Sequence, residues 1–304
     1  MKTGNYFFAA LTVFIALTMC TMNCMTGTVQ SISPEKPAAL AFRVTENNIN
    51  DPSLVWISPD HHASLDSAPA IFYSPHQDDE TIGMGATIAE QVRLGKSVYI
   101  VLLTNGVNAN MLNFLQSISP DASMQDVVDA RNNEFIAACK ALGVDRVYIS
   151  NAGKGYDEKE SLAELTSHFK KTMSYFCQAF TNASHHTISG NCDSYNPNCD
   201  KMPAHQAAAS AMHELYNSGT VSQCLLFRAY FYYKNSPNCD RPCNWMKPVN
   251  HGDKLRRQRA INEYKLVDEK NHRYGLGYWH SVDVLFNNSW DSDYEMVDSM
   301  KNDY

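Results

Sequence analysis

The 304-residue chain has no extended run of lysine and arginine, and its formal net charge is −7. Gripping a phosphate backbone needs a basic stripe that displaces counterions, so nucleic acid is excluded as a principal partner. The one basic cluster, Lys254, Arg256, Arg257 and Arg259, lies in a stretch of helical spacing and reads as a solvated helix face. No CxxC pair occurs among the nine cysteines, which argues against a zinc knuckle. No internal repeat is visible, and after Gly27 no apolar run is long enough to cross a bilayer.

With 44% hydrophobic and 19% charged residues, the chain can bury a full core and has room for one large domain. Residues 1–27 carry an early Lys2, an apolar stretch from Tyr6 to Met22 and small or polar residues after it. This is the layout of a secretory signal peptide, so the mature chain is expected to be exported. An uncleaved N-terminal anchor and lipid attachment at Cys20 are the alternatives, and membrane contact is expected only if this segment is retained. Residues 28–67, rich in Ser, Pro, Asp and His, read as a linker or wrapping arm, residues 68–290 as the functional domain and residues 291–304 as an acidic tail. Export suits local disulfides between Cys192 and Cys199 and between Cys239 and Cys243, whereas Cys139, Cys177 and Cys224 read as buried, inert thiols. Sequons at Asn182 and Asn287 are compatible with the same compartment.

Past residue 67, strand and helix patterns alternate. "APAIFYSP" (68–75) and "SVYIVLLTNG" (97–106) are short, β-rich apolar runs. Between them Ile82, Ala86, Ala89 and Val92 recur at helical spacing, with Gly95 placed to close the helix. "DVVDARNNEFIAACKALG" (126–143) predicts a helix capped by Gly143, and "RVYIS" (146–150) the next strand. Further helices are predicted over 158–181, 204–217 and 252–268, and a strand over 223–233. Strand, helix, strand is the unit of a mostly parallel sheet with helices on both faces, so the expected class is α/β.

"YSPHQDDETIGMG" (73–85) crowds His76, Gln77, Asp78, Asp79 and Glu80 directly behind the first strand, where an open α/β sheet collects its ligands. Helix capping accounts for one carboxylate, but not for the second or for the histidine. His76 and Asp79, three apart across a turn, can face one cation, while Asp78 between them stays off the metal as a base. Imidazole with carboxylate suits a borderline metal such as zinc, and a catalytic ion is typically held by three protein ligands. The third ligand must then come from elsewhere in the chain.

"SPHQDDE" resembles the "PHPDDE" signature of the LmbE-like, or PIG-L, family of metal-dependent N-acetylglucosaminyl deacetylases. The similarity continues in order through "LLTNG", "RNNEFIAACKALGV" and "MPAHQAA", covering about residues 68–268. The resemblance implies a Rossmann-like α/β domain, in agreement with the strand and helix rhythm. It also implies His76, Asp79 and His205 as ligands of one divalent metal ion, of zinc type, with Asp78 as general base. Arg131 matches the family's arginine and is the candidate for holding a sugar hydroxyl or a phosphate, with a surface or helix-pairing role as the alternative. Asn105, after the second strand, is a second substrate-binding candidate. Gln77 stands where the family usually has Pro, Ala204 where many relatives have Asp, and Met202 where some have a further histidine.

The chemistry implied is removal of the acetyl group from an N-acetylated sugar or glycoside, with Asp78 taking the proton of a water that attacks the acetamide carbonyl. Two other readings remain open at this point: a metal-dependent hydrolase of another amide or of a phosphoester, and a catalytically impaired glycan-binding homologue.

Overall fold

The structure, a computed structural model, describes residues 55–56, 68–144, 146–150, 160–190, 202–228, 245–280, 282–298 and 300. The leader, nearly all of the arm and Cys192, Cys199, Cys239 and Cys243 lie outside the described residues. In chain order the elements are β1 (Val55–Trp56), β2 (Ala70–Ser74), α1 (Asp79–Ile82), α2 (Gly85–Arg93), β3 (Val98–Leu102), α3 (Ala109–Ile118) and α4 (Met124–Leu142). Next come β4 (Arg146–Ile149), α5 (Leu162–Ala179), β5 (Ser184–Ile188), α6 (Pro203–Asn217), β6 (Cys224–Phe227), β7 (Trp245–Pro248) and α7 (His251–Lys265). The remainder is a small hairpin of β8 (Val267–Asp268) and β9 (Arg273–Tyr274), then α8 (Leu276–His280), α9 (Val282–Asp291) and β10 (Tyr294–Asp298).

Eight strands form one sheet in the order β1-β4-β3-β2-β5-β6-β10-β7. The five from β4 to β6 are mutually parallel, while β1, β10 and β7 add antiparallel pairings at the two sides. Alternation along the strands feeds two separate cores. Ala70 and Phe72 pack with Ile100, Leu102 and the α4 and α7 residues Phe135, Leu142 and Ile261. Ile71 and Tyr73 pack on the other face with Val101 and the α5 and α6 residues Phe169, Met173, Ala208 and Met212. Helices therefore cover both faces, as the sequence pattern predicts, and the buried parallel strands read as unbroken apolar runs for that reason.

The long helices are closed by local chemistry. Ser123 and Asp126 form a capping box at the start of α4, and Gly143 ends it in a left-handed turn at φ 91°. Ser161 and Glu164 repeat the box on α5. Among the described residues, no helix is long and apolar enough to cross a membrane.

Four expectations are corrected. The helix predicted through Ile82 and Ala86 is broken into α1 and α2, because the two groups that would bond across the break are satisfied elsewhere: Ile82 O accepts from Ser289 Oγ, and Ala86 N donates to Glu295. The described part of the expected acidic tail is built into the sheet. Its residues Tyr294–Asp298 form β10, paired on both sides, with Glu295 buried against the N-terminus of α2 and Asp298 bridged to Arg228. The basic run on α7 is only partly a solvated face, since Arg257 is fully buried and donates to Ser292 O. Cys139 and Cys177 are buried free thiols as expected, whereas Cys224 is partly exposed.

Candidate active site

The chain runs outward from β2 to β3 and β4, then returns to lay β5 on the other side of β2. The carboxyl end of β2 is thus a topological switch point, where the loops leaving β2 and β5 part and leave room for a ligand. His76 to Asp79 leave β2 there, and the chain after β5 delivers His205 in the first turn of α6. Gly190 makes the second approach possible. At φ 54° it turns the chain behind β5, and a Cβ on it would lie 2.4 Å from His205 O and 2.6 Å from Gln206 N.

His76, Asp79 and His205 converge although 126 residues separate the last two. Their ligand atoms form a triangle: His76 Nδ1 to Asp79 Oδ2 is 3.2 Å, His76 Nδ1 to His205 Nε2 is 3.0 Å and His205 Nε2 to Asp79 Oδ2 is 2.9 Å. Nitrogen and oxygen ligands of a tetrahedral ion stand roughly 3.3–3.5 Å apart, given bonds of about 2.0–2.2 Å. The observed triangle is a few tenths of an ångström tighter, so a small outward relaxation fits one ion. All three residues are buried. Burial alone would raise the Asp79 carboxyl, but the facing His205 and His76 outweigh it by charge and hydrogen bonding and hold it well below the usual carboxylate range. The His76 backbone N–H also donates to Asp79 Oδ2, at 2.9 Å, which fixes the carboxylate from behind.

Asp78 stands between the ligands and keeps 11% of its side chain exposed, against 4% for Asp79. Its backbone has φ 130° and ψ −29°, a region that L side chains rarely adopt and that costs about 1–3 kcal/mol where it persists. Glu80 lies directly behind it, accepting hydrogen bonds from Asp78 N (3.0 Å), Thr81 Oγ1 (2.6 Å) and Tyr264 OH (2.7 Å). Burial pushes the Glu80 carboxyl up to about 7, with the hydrogen bonds from Thr81 and Tyr264 opposing the shift.

Arg131 sits elsewhere than a substrate contact requires. It is 2% exposed, donates through Nη2 to Gln77 O and lies 3.6 Å from Asp78 Oδ2, so it backs the loop and does not reach outward from it. Glu134, one turn along α4, accepts from the N–H groups of Tyr274, Leu276 and Gly277 and docks the start of α8. Asn105 is half-buried in the loop after β3, where its carbonyl accepts from Gln77 Nε2 at 3.0 Å. The fully buried Gln77 also donates to Asn132 Oδ1 at 3.0 Å. Gly106 leaves the space this amide fills, since a Cβ there would stand 2.1 Å from Gln77 Oε1. Ala204 is buried beside His205 and Met202 precedes the helix, so neither position offers an acid.

Residues 71–215 match the family model described as PIG-L, GlcNAc-PI de-N-acetylase. Over that span the chain is similar to a PIG-L (LmbE-like) domain. The matched segment contains all three converging side chains and Asp78. A 1D-myo-inositol 2-acetamido-2-deoxy-alpha-D-glucopyranoside deacetylase of Mycolicibacterium vanbaalenii is 33% identical over 101 residues, which is 31% of this chain and 33% of that protein. The match therefore spans about a third of that relative's length. Among solved structures, a deacetylase of an antimicrobial pseudoaglycone aligns with TM-score 0.54 at 16% identity, covering 76% of this chain and 96% of its own. The zinc-inhibited form of a teicoplanin deacetylase aligns with TM-score 0.53 at 15% identity, covering 75% and 96%. At such identities the likeness is one of fold. His76, Asp79 and His205 could together hold one divalent metal ion, and two imidazoles with one carboxylate suit zinc.

Proposed function

We propose that the chain is a metal-dependent N-deacetylase that releases acetate from an N-acetylglucosamine-type sugar or glycoside. The observation that carries this reading is the closed His76–Asp79–His205 triangle with a further carboxylate, Asp78, beside it at the switch point of a PIG-L domain. When bound, a zinc-type ion supplies Lewis acidity, lowering the pKa of water and polarising a carbonyl oxygen. Asp78 takes one proton from the water that attacks the acetamide carbon. It then returns that proton to the amine nitrogen as the C–N bond breaks, leaving acetate and a free amine. Ala204 and Met202 carry no titratable group, and in this reading Asp78, and not another residue or water, returns the proton. Asn105, in the loop after β3, is the candidate for meeting a sugar hydroxyl. Lys2, the apolar stretch from Tyr6 to Met22 and the sequons at Asn182 and Asn287 support an exported protein, with membrane contact only where that leader is retained.

The test is metal analysis of the purified chain followed by an acetate-release assay on simple N-acetylglucosamine glycosides. One equivalent of a divalent metal and stoichiometric acetate and amine are expected. Bound metal without acetate release would refute the deacetylase reading.

A further inference from the structure

One peptide unit of the catalytic loop, Gln77–Asp78, is gripped at both of its polar ends. Its carbonyl oxygen accepts from Arg131 Nη2, and its N–H donates to Glu80 Oε2 at 3.0 Å. A peptide unit is planar, so fixing its oxygen and its N–H fixes its rotation, and with it φ of Asp78. On the other side of Asp78, its own carbonyl accepts from Thr81 N at 2.9 Å and from Ile82 N at 2.8 Å. A residue at φ 130° persists only where its surroundings over-determine it, and here they do.

The two gripping groups are themselves anchored. Arg131 and Glu80 are almost wholly buried, Glu80 is held from α7 by Tyr264, and Arg131 rides on α4, whose Asn132 receives the Gln77 amide. α4 and α7 pack into the same core as β2, so the loop is referenced to the body of the fold.

We propose that Arg131 and Glu80 are positioning residues that hold the Gln77–Asp78 peptide from its two ends and so aim the Asp78 carboxylate at the metal site. This rests on Asp78 being the base of the deacetylase reading. With either grip removed, the peptide is free to turn and carries the carboxylate off line by an ångström or more, a displacement that can cost ~10²-fold in rate. A substrate-binding Arg131 would act on KM instead.

The experiment uses the full chain loaded with zinc and an N-acetylglucosamine glycoside as substrate. Arg131→Met and Glu80→Ala are expected to lower kcat by ~10²-fold with KM held within about two-fold and zinc content unchanged. Glu80→Gln keeps an acceptor oxygen for the Asp78 N–H and is expected to restore most of kcat. A raised KM at unchanged kcat in Arg131→Met, or Glu80→Gln no better than Glu80→Ala, would overturn the proposal. Crystal structures add a readout that does not depend on turnover: φ of Asp78 is positive in the wild type and relaxes in Arg131→Met, and an unchanged φ in the variant overturns the proposal. Should the variants fail to fold, hydrogen exchange at the wild-type Asp78 amide decides, with slow exchange supporting the grip and exchange at the rate of an exposed loop refuting it. A wild type that releases no acetate sinks the deacetylase reading alone, because the conformational measurements still judge the grip.

Discussion

Asp78 and Asp79 are adjacent and chemically identical, and their surroundings assign them different work. Asp79 Oδ2 meets the His76 N–H, His76 Nδ1 and His205 Nε2, all within 3.2 Å, which is the environment of a fixed ligand. Asp78 is the more exposed of the two, as a group that must meet water has to be. Asp78→Asn should therefore retain its metal and lose 10²- to 10⁴-fold in kcat, about what a positioned base contributes. Metal content and initial rates measured on the same preparation check both halves. His205→Ala should show the reverse order of loss: a three-ligand site reduced to two releases its metal on dialysis, and acetate release disappears with it. Retention of one equivalent of metal by His205→Ala would remove this histidine from the ligand set.

At the scale of elements, the C-terminal strand supports the helix that follows the site loop. Glu295 on β10 accepts from Ala86 N, Thr87 N and Thr87 Oγ1, so it caps α2 from across the fold. Glu295→Ala leaves those donors buried without a partner and is expected to cost about 2–3 kcal/mol, read as a lowered urea midpoint at unchanged m-value. The same strand shows what the sequence could and could not convey. Parallel strands buried on both faces announce themselves as apolar runs, and helices that carry capping boxes or a terminal glycine announce their ends, so β2, β3, α4 and β4 were legible. "DYEMVD" has three carboxylates in six residues and looks solvated, because the partners that bury it, Thr87 and Arg228, are 208 and 70 residues distant. The candidate ligands His76 and Asp79 stood out because chemistry crowded them into one turn, and His205 because its segment resembles a known pattern; the fold brings the three together. Tyr264 carried no such mark: its service to Glu80 spans 184 residues and leaves no local trace. Arg131 misled for a related reason, since the pattern that marks it reports its type and place but not which way its guanidinium turns.

For the molecule as a whole, the buried titratable groups predict an asymmetric response to acid. His185 and His186 sit on β5, in the middle of the sheet, where burial pushes them down to about 4 and about 3. The hydrogen bond of His186 requires the neutral form, since its Nδ1 accepts from Leu225 N, while His185 Nδ1 lies 2.9 Å from Tyr73 OH. Lys96, Lys247 and His185 add like charge around His186, and Cys177 faces His185 without offering a negative partner, its thiol being pushed up to about 11. In the unfolded chain both histidines titrate near 6.5, so between about 6.5 and about 3–4 the unfolded state binds more protons and stability falls as pH falls. Glu80 acts in the opposite sense. Raised from 4.5 to about 7, it binds its proton in the folded state first and lends stability as pH drops across that interval. Glu80 offsets about one of the two histidines between about 6.5 and 4.5, the raised Glu134 and Glu295 act in the same sense as Glu80, and below 4.5 only the loss remains, steepened below 3.8 by the lowered Asp79. Urea denaturation of the metal-free chain at stepped pH should therefore show a shallow dependence down to about 4.5 and a steep decline beneath it. His186→Gln, which keeps an acceptor for Leu225 N but cannot charge, should reduce the acid slope by up to about 1.4 kcal/mol per pH unit. An acid limb of equal steepness in that variant would show that the buried pair on β5 is not what makes the fold sensitive to acid.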